Sequence, residues 1–166
     1  MNKIILKKMC QMSLAMGLIS GALSLIPFVG VVAFLFAICF VSTVALIFLR
    51  KNKLLGIFEG KESSLYGAIA GFVGFIGFSI TMVPLAAVAS WLNSIWLKKM
   101  VWLSLFNVIF SMGVSGFFIL LMLIFLIALL AAMMNAFSAM ITVAVFQMLE
   151  GTAQKKDEFK VDVEIE

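Results

Sequence analysis

From Phe117 to Met133 the chain reads FFILLMLIFLIALLAAM, a run without one polar side chain. A helix needs about 20 apolar residues to cross a hydrocarbon layer of about 30 Å, and Gly116 to Met134 supply them almost unbroken. Working outward, no Asp, Glu, Lys or Arg occurs anywhere between Met100 and Leu149, nor in two earlier blocks, Met9–Leu49 and Ser63–Leu97. All 12 Lys and Arg and all 8 Asp and Glu therefore sit in the 40 residues outside these blocks. With 64% hydrophobic and 12% charged residues among 166, the composition excludes a soluble globule, which carries roughly 45–50% and 25%. Backbone polar groups in lipid must be satisfied within the chain, so the expected class is an all-α, polytopic helical membrane protein.

The first block, 41 residues, measures about 62 Å as one helix and must fold back. Ile26-Pro27-Phe28-Val29-Gly30 marks the turn, because Pro27 lacks an N–H and biases its predecessor away from helix, while Gly30 permits unusual dihedrals. Spans are predicted at about 9–26 and 31–49, with a third at about 65–85, running to Pro84 or a little beyond, and a fourth at about 116–134. Residues 54–64, 86–113 and 135–149 are read as interfacial or partial segments. Lys3, Lys7 and Lys8 precede the first hairpin and Arg50, Lys51 and Lys53 follow it, which places both clusters in the cytoplasm, and an even number of spans then leaves both N and C termini there. A four-span reading leaves Lys98 and Lys99 outside. A six-segment reading of three consecutive hairpins brings them inside and keeps the termini where they are. The basic start with its long apolar continuation reads as an uncleaved anchor rather than a removed leader.

Small residues carry the clearest local pattern. Gly17 and Gly21 form one GxxxG, and Gly67 and Gly71 another, continued by Gly74 and Gly77. Such stripes let helix backbones approach closely where lipid offers no hydrophobic drive, so the first and third helices are the expected contact pair. At an offset of 57 residues Gly17 and Pro27 also match Gly74 and Pro84, although apolar sequence gives such matches by chance. Pro27, Gly30 and Pro84 are the candidate hairpin or hinge positions. Tyr66, Trp91, Trp96 and Trp102, with Lys98 and Lys99, are the candidate interface anchors, their rings amphipathic and their ammonium groups able to snorkel.

Chemistry is scarce. There is no His, and the two Cys, at 10 and 39, fall at different depths either side of the turn, so neither a metal cage nor a disulfide is expected. No ionisable side chain other than Cys10, Cys39 and Tyr66 lies within the blocks, so proton relays and embedded hydrolases have no reagents. The polar candidates are Asn107, Asn135 and Ser138, read either as interhelical clasps or as cavity lining. The Lys clusters flank membrane segments rather than forming a basic face, so no nucleic-acid partner is expected. Residues 150–166 form a charged tail, expected to be disordered and cytoplasmic, in which Phe159, Val161, Val163 and Ile165 alternate with charges as a strand would. The expected function is that of a non-enzymatic integral membrane protein without cofactors, an accessory, assembly or scaffold component. Its partners would be the lipid bilayer, further copies of itself or other membrane subunits. The alternative is a small oligomeric transporter, channel or lipid-handling protein. The loop-poor, Lys-flanked pattern points to a bacterial inner membrane.

Overall fold

The computed structural model describes residues 3–26, 28–52, 60–91, 108–109 and 111–163. Five helices account for nearly all of them: α1 (Lys3–Leu23), α2 (Val29–Cys39), α3 (Val41–Lys51), α4 (Gly60–Trp91) and α5 (Val114–Val163). No strand occurs among the described residues. Two stretches, Glu62–Ala89 in α4 and Val114–Leu149 in α5, are long and apolar enough to cross a membrane, and α2 with α3 adds a third if that bent pair is one span.

Packing fixes the directions of the helices. α1 and α4 run parallel: Gly17 backs onto the Gly74 carbonyl, and Gly21 onto Phe78 and Thr81. α5 runs antiparallel to α4, with Gly67 against Asn135 and Ala139, Gly71 against Ala131, and Phe72 edge-on to Phe125 at 6.2 Å between centroids. α2 and α3 descend alongside α5, from Phe34 beside Phe75 and Phe78 to Arg50, whose guanidinium lies 4.0 Å from the centre of the Phe146 ring. Two buried layers result. One gathers Met9, Leu46, Leu49, Tyr66, Ala139 and Val143 near the charged end, and the other gathers Ala37, Ile38, Phe75, Phe78, Ala128 and Ala131.

The helix boundaries depart from the sequence reading in five places. α1 ends at Leu23, three residues before the predicted 26, because Ser24, Leu25 and Ile26 already form the turn. The predicted span 31–49 is broken: α2 and α3 meet at Phe40 with a bend of 68°. The third helix passes through Pro84 and ends at Trp91; Pro84 costs it one hydrogen bond and crowds the carbonyl of Ile80, but that does not stop a helix held by packing on both sides of it. Residues 135–149 are not a separate segment but continue α5 without interruption, and the same helix runs on to Val163 across positions whose alternation suggested a strand. Residues 60–64, read as part of an interfacial connector, are the first turn of α4.

Candidate functional site: the Asn135 clasp at the broken helix

The α2–α3 break contains neither Pro nor Gly. Phe40 leaves helical geometry at φ −119° and ψ −6°, and the bend there strips helix partners from the carbonyls at the end of α2 and from the first N–H groups of α3. Such groups are costly in an apolar interior unless something replaces the lost bonds.

Asn135, fully buried on α5, replaces them at both ends. Its Nδ2 donates to the Ile38 carbonyl at 2.6 Å and to Ala131 of its own helix at 3.0 Å, with the Ala37 carbonyl at 3.5 Å. Its Oδ1 accepts the Ser42 N–H at 2.8 Å, and its backbone carbonyl accepts the Ser42 hydroxyl at 2.8 Å. One amide thus serves as C-cap of α2 and N-cap of α3. One turn further along, Thr43 Oγ1 shares a hydrogen bond with Ser138 Oγ and lies 3.1 Å from Thr142 Oγ1, which itself donates to the Ser138 carbonyl at 2.7 Å. Asn135, Ser138 and Thr142 are spaced three and four apart, so they share a face of α5 turned to the break. Amides and hydroxyls do not ionise in the ordinary pH range, so this cluster contributes hydrogen bonds between helices rather than an acid or a base.

The other predicted positions distribute as follows. Gly17 and Gly21 face α4, whereas Gly67 and Gly71 face α5 rather than α1, and it is Gly74 and Gly77 that meet Ser13, Leu14 and Gly17. Thr81 Oγ1 strengthens that contact, lying 3.1 Å from the Leu18 carbonyl and 2.9 Å from Gly77 of its own helix. Gly30 presses against the Ser24 carbonyl where the hairpin closes. Tyr66, read as an outward interface anchor, is 1% exposed and packed between Met9, Leu49 and Val143. Trp91 ends α4, while Pro27, Trp96, Lys98, Lys99, Trp102 and Asn107 lie outside the described residues. Cys10 and Cys39 are both free. Ser42, Thr43 and Thr142 were not singled out from the sequence. Their signal was the pairing of hydroxyl residues in one charge-free block with an amide in another, which the spacing on α5 makes visible only once a partner is known.

No protein-family model, curated protein or solved structure matches the chain. By length and composition, its candidate membrane-spanning helices are those of a membrane protein.

Proposed function

We propose that the protein is a non-catalytic integral membrane component that acts as an accessory, assembly or scaffold subunit through helix packing, in a bacterial inner membrane. In this reading α4 and α5 cross the bilayer, and α1 with the bent α2–α3 pair forms a second hairpin beside them. Both termini lie in the cytoplasm, since Lys7, Lys8, Arg50 and Lys51 gather at one end of the bundle. The carrying observation is the contrast between α5's two sides. Its inward face is consumed by the Asn135 clasp and the glycine contacts, yet only 17% of its most apolar stretch is buried, against 39% for α4. Phe118, Met122, Met133, Phe137 and Met148 all point away from the rest of the chain. Long unbranched Met and large Phe side chains make an adaptable surface for either lipid or a partner helix.

The test is cross-linking in the native membrane. Single cysteines at Met122, Met133 and Met148, in a Cys10→Ser, Cys39→Ser background, are oxidised for contacts between copies, and photoreactive side chains at the same sites report other subunits. Assembly predicts protein adducts restricted to one or two of the sites; adducts with lipid alone at all three would refute it. The second reading, a transport path, is favoured by the broken helix at Phe40, since broken helices line many substrate routes. It predicts solute flux through reconstituted vesicles that falls on substitution of Asn135.

A further inference from the structure

The two hairpins differ in height. α4 from Glu62 to Trp91 measures about 43 Å at about 1.5 Å per residue, which matches the about 40–45 Å of a bilayer with its headgroups. The α1–α2 hairpin is shorter. Gly21, near the end of α1, is level with Phe78 and Thr81 of α4, and Phe34 packs against Phe75 and Phe78 at 6.2 and 5.9 Å. Five residues back along α2, Val29 stands about 8 Å higher, level with Met82 or Val83. From that level α4 climbs about 13 Å more to Trp91, and any tilt of α2 lowers the tip further. With a hydrocarbon core of about 30 Å centred on α4, its far edge falls about 6 Å short of Trp91, so Val29 lies roughly 7 Å inside it, with the turn between α1 and α2 in the space that remains.

The chemistry of the tip agrees with that depth. From Leu23 to Val32 the only polar side chain is Ser24, and its hydroxyl donates to the Gly21 carbonyl at 2.6 Å. The turn bonds part of its own backbone: Ser24 N–H reaches Gly21 at 3.3 Å, Ile26 N–H reaches Leu23 at 3.1 Å and Gly30 N–H reaches Ile26 at 2.8 Å. Proline at 27 has no N–H to satisfy. Phe28, at φ 67°, is 91% exposed, a benzyl group held outward by a backbone conformation that side chains rarely adopt. Turns that emerge into water are rich in Gly, Pro, Asn, Asp and Ser, whereas between Ser24 and Gly30 only Pro27 is of that kind and Leu25, Ile26, Phe28 and Val29 are apolar.

We propose that the α1–α2 hairpin is re-entrant: it enters from the Lys-flanked side, ends among the acyl chains of the far leaflet with Phe28 in lipid, and returns without reaching the far aqueous phase. The proposal rests on the membrane reading above, and its test separates the two. In the full chain with Cys10→Ser and Cys39→Ser, single cysteines replace Asn52 at the near end, Ser111 at the far end, and Phe28 or, one turn below it, Val32. A membrane-impermeant maleimide is applied to each side of reconstituted vesicles. Asn52→Cys and Ser111→Cys should label from opposite sides, and Phe28→Cys at least tenfold more slowly than either from both sides. A spin label at position 28 should collide readily with oxygen and poorly with an aqueous nickel chelate. Labelling of Phe28→Cys from the same side as Ser111→Cys at a comparable rate, or ready collision with the chelate, overturns re-entrance while leaving the crossing of α4 and α5 intact. Labelling of Asn52→Cys and Ser111→Cys from one side overturns both.

Discussion

At residue scale the decisive side chain is Asn135, because one amide meets the polar groups of two helix ends 93 to 98 residues away in sequence. Asn135→Leu keeps the volume and removes every side-chain bond, leaving the Ser42 N–H and the Ile38 carbonyl unsatisfied. A buried unsatisfied group costs about 1–3 kcal/mol, although interhelical bonds within membranes average nearer 0.6, so the expected loss is about 2–3 kcal/mol. Reversible unfolding in mixed micelles measures it, and a loss below about 0.5 kcal/mol would mean the break does not depend on the clasp. Ser13 is the opposite case. Its hydroxyl is buried with no hydrogen-bond partner, so Ser13→Ala should leave stability unchanged or raise it by up to about 1 kcal/mol in the same assay. A clear destabilisation would show that the hydroxyl has a partner.

At the scale of elements, the glycines decide which helices touch. A Cβ on Gly17 would run into the backbone of Gly74 and Phe78, neither of which moves without separating α1 from α4. Gly113, at φ 60°, has nothing within 4 Å of such a carbon. Gly17→Ala should therefore cost about 1–3 kcal/mol as overpacking, and Gly113→Ala only the backbone term of about 1–2 kcal/mol. The sharper contrast is in proximity: a cross-link between positions on α1 and α4 should weaken in Gly17→Ala and stay unchanged in Gly113→Ala. The stripe on α4 was legible in the sequence, but its division between two partners was not read from it. Spacings of three from Gly71 to Gly74 to Gly77 walk the stripe about 60° around the helix at each step, turning it from α5 towards α1.

For the whole molecule, the antiparallel pairing of α4 with α5 places Trp91 and Val114 at one end of the bundle and Arg50, Glu62 and Phe146 at the other. In the sequence residue 98 lies between Trp91 and Val114, so on the four-span reading a cysteine at Lys98 should label from the side opposite to one at Lys51, in the background lacking Cys10 and Cys39. Labelling of both from the same side would restore the six-segment arrangement. Tyr66 shows how depth and orientation part company: its position at the start of α4 fits an interface, yet the charged end of the bundle has its own buried layer, and the ring is taken into it.

The helical class followed from the sequence alone, since three long blocks without charge leave the backbone no solvent to bond with and only self-satisfied helices remain. The turn at residues 24–28 was also local, written in Pro27 and Gly30. The break at Phe40 was not, because neither Pro nor Gly stands there and Val41, Ser42 and Thr43 disfavour helix only weakly; it persists because α5 brings Asn135, Ser138 and Thr142 against it and makes good the hydrogen bonds it loses. Likewise the continuity of α4 through Pro84 and of α5 through Asn135 was settled by neighbours. Propensity is worth at most a few kcal/mol at a single position, and the packing of whole helix faces exceeds it.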